Sequence, residues 1–240
     1  MKHLKFLLAA LVLLGHSFVY AQKTLYVDNK LQHISSDYFT TLQAAIDVAK
    51  NGDIVLIEAS PTTYGSIKIN KKAITLVGAG HHPKNQNGLT VLIDNIDFTD
   101  TTKNVIIDGL VLNRINPNKT LWLRKITIRN CQINKSIDFG DAASEWLLTS
   151  NIFQENCSIS SDVEDDIANL TFANNFFFKP TIGPLGTNQN VRFSNNLFSG
   201  SEIGTRTFAF KNFRNVVIEN NLFFHINAFE DAQPFNTFID

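Results

Sequence analysis

The 240-residue chain is poor in most of the residues that advertise chemistry. It carries one methionine, two tryptophans, two cysteines and four tyrosines against twenty phenylalanines. An aromatic set so dominated by phenylalanine suits rings stacked inside a fold rather than displayed on it. Charge of either sign is also in short supply, with 21 basic and 22 acidic residues. That balance leaves no basic footprint for nucleic acid. No Gly-rich phosphate loop, nucleophile elbow or metalloprotease motif is present. Cys131 and Cys157 leave two readings open, a disulfide or two free thiols in the core.

Residues 1–21 read as an export signal. Lys2 and Lys5 supply a positive start, residues 6–14 form an apolar run of nine, and Val19-Tyr20-Ala21 offers small residues at −3 and −1. A run that short does not span a membrane. No cysteine follows it directly, which argues against a lipid anchor. The mature chain is expected from Gln22, secreted or periplasmic, with 19 basic and 22 acidic residues once Lys2 and Lys5 are gone.

What the chain does have is a repeat. Residues 216–223 read Val-Val-Ile-Glu-Asn-Asn-Leu-Phe, 191–198 Val-Arg-Phe-Ser-Asn-Asn-Leu-Phe, and 170–177 Leu-Thr-Phe-Ala-Asn-Asn-Phe-Phe. Fainter copies start at Trp146, Ile126 and Val105, so successive starts lie 21, 20, 24, 21 and 25 residues apart. A strand-like core at that period is the mark of a stacked solenoid. Positions one and three of each copy are expected inward, with the final Phe inward on the next strand. Asn151, Asn175, Asn196 and Asn221 align as one ladder, with Cys131 in the same slot one rung earlier. Phe153, Phe177, Phe198 and Phe223 align as another. The second Asn of each pair is expected to make the bend, because asparagine tolerates positive φ and its amide can bond its neighbours above and below. A third strand per turn is expected around Leu121–Leu123, Ile137–Phe139, Ile159, Ile182 and Phe208–Phe210, with Trp122, Asp138 and Lys211 outward on one shared face.

Upstream, residues 40–50 have helix spacing, with Leu42, Ala45, Ile46 and Ala49 on one face and Thr40 or Thr41 as cap. Asn51-Gly52-Asp53 is expected to end that helix in a left-handed cap. The succession Thr-Thr-Leu-Gln-Ala-Ala-Ile-Asp-Val-Ala-Lys-Asn-Gly-Asp-Ile-Val-Leu-Ile, Thr-Tyr-Gly, Ile-Lys-Ile and Ile-Thr-Leu-Val-Gly-Ala-Gly resembles the cap and first rungs of right-handed parallel β-helix proteins of the pectin-lyase-like superfamily. The resemblance, continued by the repeats to about residue 225, implies an all-β right-handed parallel β-helix of roughly eight rungs with a short capping helix. As a domain plan it gives a signal at 1–21 and one β-helix over 22–240. Within that, 22–80 form the cap and first rungs, 104–225 the regular rungs and 226–240 a tail.

In the enzymes of that superfamily, polysaccharide lies along the first sheet and its loops. By position this implies Trp122, Asp138 and Lys211 as ligand-binding candidates and Asp138, Asp141 and Glu145 as catalytic ones. Asp162, Glu164, Asp165 and Asp166 are candidates for calcium, a hard cation that takes carboxylate oxygens. His81-His82 lacks a third ligand at metal-site spacing. Arg192 and Arg206 could meet an acidic sugar or a neighbouring acid. The signatures of polygalacturonases and pectate lyases are absent. Three functions stay open, in this order: non-catalytic binding of extracellular or envelope polysaccharide, a lyase or glycoside hydrolase of another subfamily, and an adhesive solenoid whose last rung docks a protein partner.

Overall fold

The computed structural model describes residues 22–30, 35–80, 88–117, 122–140, 142–161, 166–185, 187–200, 208–210 and 214–224. Parallel strands stack into a β-solenoid of about six turns, fewer than the roughly eight rungs expected, with one short helix at its start. A ten-stranded and an eleven-stranded sheet form its walls. The expected signal at 1–21 and tail at 226–240 lie outside the described residues.

The helix, Leu42–Val48, forms where the sequence places it. Thr41 accepts the Ala44 N–H at its N-terminus, and Leu42, Ala45 and Ile46 turn inward. Its end differs from expectation. Ala49 is already extended, and Lys72 Nζ satisfies the last carbonyls by donating to Ile46 and Asp47, both at 2.6 Å. Gly52, at φ 94°, instead serves the turn into strand Ile54–Ile57.

Two columns of left-handed residues recur from turn to turn, with further ones at Gly140, Asn156, Lys179, Gly183 and Gly200. One column of them comprises Gly109, Asn130, Ser150, Asn174, Asn195 and Asn220. This is the first residue of the Asn-Asn pair, so the expected division of labour is reversed. The first Asn takes the strained backbone, and the second turns inward as the ladder, buried at Asn151, Asn175 and Asn196 and half-buried at Asn221. The ladder bonds are regular: Cys131 N–H donates to Asn151 Oδ1 at 3.0 Å, Asn151 N–H to Asn175 Oδ1 at 2.9 Å, Asn175 N–H to Asn196 Oδ1 at 2.9 Å and Asn196 N–H to Asn221 Oδ1 at 2.8 Å. Each Nδ2 also donates to a strand carbonyl, of Ile128, Leu148, Phe172 and Phe193 in turn, all at 2.9 Å. Cys131 starts the ladder, its Sγ accepting the Leu110 N–H at 3.4 Å. Both cysteines are free and buried, and burial pushes each thiol up to about 12.

The second column was not expected. Asn104, Lys125, Glu145, Asn169, Asn190 and Asn215 sit at φ between 56° and 61°, one residue before each repeat copy. Each makes an outward bulge of the wall that resets the strand's alternation, and neighbouring strands share it at the same position, so their pairing keeps register across it. In Trp122–Arg129, Leu123 points inward, Arg124 and Lys125 both face out, and Ile126 points inward again.

The interior is filled by stacked rings. Phe153, Phe177, Phe198 and Phe223 form one pile with centroids 4.4, 4.6 and 4.9 Å apart, its last ring exposed at Phe223 rather than inward as expected, and Phe172 lies 4.7 Å over Phe193. These spacings match the distance between strands, about 4.8 Å, so one residue choice repeated by register fills the core. Trp146 is buried against Phe139, and its indole N–H donates to the Leu123 carbonyl at 3.2 Å. Leu123, Ile137, Phe139, Ile159 and Ile182 are buried as the sequence implied. Leu121 lies outside the described residues, as do the side chains of Phe208 and Phe210.

Candidate functional site

The bulged column gives the solenoid an outer corner that shows two consecutive side chains per turn. Lys103 pairs in register with Arg124, and Arg124 with Ser144. The corner therefore carries Lys103 and Asn104, then Arg124 and Lys125, then Ser144 and Glu145, on neighbouring strands about 4.8 Å apart. Trp122 stands two residues before Arg124 and on the same side of its strand, because side chains alternate. At 58% exposed it is the most exposed aromatic among the described residues, and its register partner in the next turn is an alanine, Ala142.

Two cations and one carboxylate meet here, with Lys103 on the neighbouring strand. Glu145 Oε1 accepts from Arg124 Nη2 at 2.7 Å, and its Oε2 lies 3.6 Å from Lys125 Nζ. The hydrogen bond from Arg124 is the main cause that holds the Glu145 carboxyl below its ordinary range, with Lys125 adding to it. A general acid needs the opposite shift, so this glutamate is set up to pair rather than to give a proton. The pair is open to solvent and contributes little to stability. Lys103 has no ion-pair partner among the described residues, which leaves the corner with positive charge in excess of Glu145.

The choice of residue at this corner carries information. Asparagine is the ordinary occupant of the bulge, at 104, 169, 190 and 215. Beyond the Trp122 turns it forms a second amide ladder, Asn215 Nδ2 donating to Asn190 Oδ1 at 3.1 Å and Asn190 Nδ2 to Asn169 Oδ1 at 2.9 Å. Lys125 and Glu145 replace it in the turn of Trp122 itself and in the one that follows. A side chain other than Gly or Asn in this backbone region costs on the order of 1 kcal/mol. Strain accepted at two adjacent rungs, beside an exposed indole, marks the corner as the candidate site.

The other sequence candidates fall elsewhere. Trp122 and Asp138 do not share a face. Trp122 is in the ten-stranded sheet and Asp138 in the eleven-stranded one, on either side of the turn through Phe139 and Gly140. The assumption that each turn adds one outward strand to a single sheet placed them together, whereas Trp122 opens the strand of the repeat copy at Ile126 and Asp138 closes the strand after it. Asp138 Oδ1 accepts the Gly140 N–H at 2.9 Å and so holds that turn. Arg192 pairs with Glu219, the neighbouring-acid outcome. The backbone of Asp166 pairs with Thr187, while its side chain lies outside the described residues. Asp141, Asp162, Glu164, Asp165, Lys211, Arg206, His81 and His82 also lie outside them. Among the described residues no group of three or more His, Cys, Asp or Glu is arranged to hold a metal ion, and no helix is long and apolar enough to cross a membrane.

Sequence reasoning missed Lys103, Arg124 and Lys125, and it missed a polar network on the eleven-stranded sheet. There Gln132 donates to Asn134, Asn134 to Asn113, and Asn113 to Asp94. Beside it, Asn116 donates to Asn95 and Asn95 to Asp97. The recurrence of Asp94, Asn113 and Asn134 at 19 and 21 residues was the available signal.

No family model matches the chain, and no curated protein does. Among solved structures it is similar to the crystal structure of Escherichia coli YbhC, at 12% identity over 85% of each chain with a TM-score of 0.37. A likeness that distant carries nothing about the site.

Proposed function

We propose that this chain is an exported solenoid of the pectin-lyase-like superfamily that binds polysaccharide, outside the cell or at its envelope, without turning it over. The observation that carries the reading is Trp122, an exposed indole beside the cations of a straight, regularly spaced corner. An aromatic ring offers a sugar's C–H face a flat apolar surface, and flanking side chains bond its hydroxyl or acidic groups. The repeat lets a polymer meet successive rungs, as solenoid surfaces commonly do. The carboxylates in place support binding over catalysis, since Glu145 is paired and Asp138 holds a turn.

The test is affinity electrophoresis and pull-down of the purified protein on a panel of neutral and acidic polysaccharides. Reducing-end and unsaturated-product assays run in parallel. Trp122→Ala is expected to weaken binding roughly tenfold, the worth of one lost ring contact, with its melting temperature kept. Product formation by the unaltered protein, or binding indifferent to Trp122, would sink the reading.

A further inference from the structure

We propose that Glu145 is an internal counter-ion, holding Arg124 and Lys125 in the position that the carboxylate or sulfate of a bound acidic saccharide takes over. The inference rests on the carbohydrate reading of the Trp122 corner and names both its ligand class and the residue that tunes it.

The geometry supplies the argument. Each carboxylate oxygen of Glu145 faces a different cation, Oε1 the Arg124 guanidinium and Oε2 the Lys125 ammonium. All three side chains remain accessible, at 34% for Glu145, 55% for Arg124 and 58% for Lys125, so an incoming anion can reach them. Without an occupant, two like charges on consecutive residues would face each other across one bulge. A carboxylate there keeps the pair oriented for an acid group that presents two oxygens, as a guanidinium favours.

The backbone argues the same way. Glu145 occupies a left-handed position that its neighbours at 169, 190 and 215 fill with asparagine. A purely structural role is met better by asparagine, which extends an amide ladder and tolerates the conformation. Glutamate at this rung gives up both, and what it supplies instead is a negative charge. An anion that replaces it must break the existing ion pair, so affinity is lowered for weakly acidic glycans and kept for densely charged ones.

Two variants test this, Glu145→Asn and Glu145→Gln. The first also relieves the backbone, and the second keeps the side-chain length, so a change common to both reports the charge. Binding is measured against a polyuronate, a sulfated glycan and a neutral glucan at two salt concentrations. The proposal expects both variants to raise the preference for acidic over neutral glycan by roughly fivefold, and expects Arg124→Gln to abolish it. Tightening confined to the polyuronate, or to the sulfated glycan, supports the proposal and says which acid the corner is built for. Acidic binding that is unchanged or weaker in both Glu145 variants overturns it. Wild-type binding to neutral glucan alone overturns it too while leaving the carbohydrate reading intact. Binding of none of the three removes that reading and the inference with it.

Discussion

The solenoid turns two kinds of corner with the same backbone device. At the inner corner, Asn130, Ser150, Asn174, Asn195 and Asn220 take left-handed φ, and the following residue turns an amide or thiol inward, buried from Cys131 to Asn196 and half-buried at Asn221. At the outer corner, Asn104 to Asn215 take the same conformation, but the side chains face solvent. The buried corner has a single chemical solution for its orphan N–H groups, and the sequence keeps to it from Cys131 to Asn221. The outer corner has no such debt, because water satisfies what the side chain does not. It can therefore accept Lys125 and Glu145. Freedom of sequence and capacity for function coincide there.

The largest effect that would sharpen this contrast comes from Asn175→Ala. Asn175 Oδ1 accepts from both the backbone and the side chain of Asn151, and its Nδ2 donates to Leu148 and to Asn196. Removing it strands several buried groups, and chemical denaturation is expected to show a loss of about 4 kcal/mol. A loss under about 1 kcal/mol would mean that water replaces the amide and that the two corners are alike.

Titration separates the corners by sign. Burial raises Cys131 to about 12, above the unfolded thiol, so the stability it contributes is present below pH 9.0 and drains away as pH climbs toward 12. Glu145 is shifted down, chiefly by the hydrogen bond from Arg124. Its contribution is present above the ordinary glutamate value and is lost as pH falls through the lowered one. Melting curves across pH should show the alkaline loss as the larger, since the glutamate is solvent-screened. Cys131→Ala should shrink the alkaline limb to the part that Cys157 supplies, and Glu145→Gln should affect only the acid one.

The smallest effect belongs to Asn190→Ala. It removes a link in the exposed amide ladder, and the expected cost is about 1 kcal/mol, read by the same denaturation series. A cost equal to that of Asn175→Ala would erase the distinction between the corners.

The repeat made most of this architecture legible in advance. Asn151, Asn175, Asn196 and Asn221, and the phenylalanines two residues after each, fall in register because stacking reads the sequence one column at a time. The bulge was not legible, since strict alternation has no place for two outward residues in a row. Its trace was an asparagine before the copies at 105, 170, 191 and 216, missing at the two turns where Lys125 and Glu145 stand. Without it, Trp122 and Asp138 seemed to share a sheet. Arg124 and Lys103 went unnoticed because their proximity exists only through the pairing of two strands. Trp122 and Glu145 were named in the sequence for reasons of position, and the structure gives them different companions.

The buried ladder also has a direction. Leu110 relies on Cys131, Cys131 on Asn151, Asn151 on Asn175, and so to Asn221, each corner being completed by the turn that comes later in the chain. A chain released N-terminus first therefore always carries one unfinished corner at its newest turn. Each turn is locked retrospectively, by its successor. Assembly of this molecule is thus a ratchet whose pawl is a single amide.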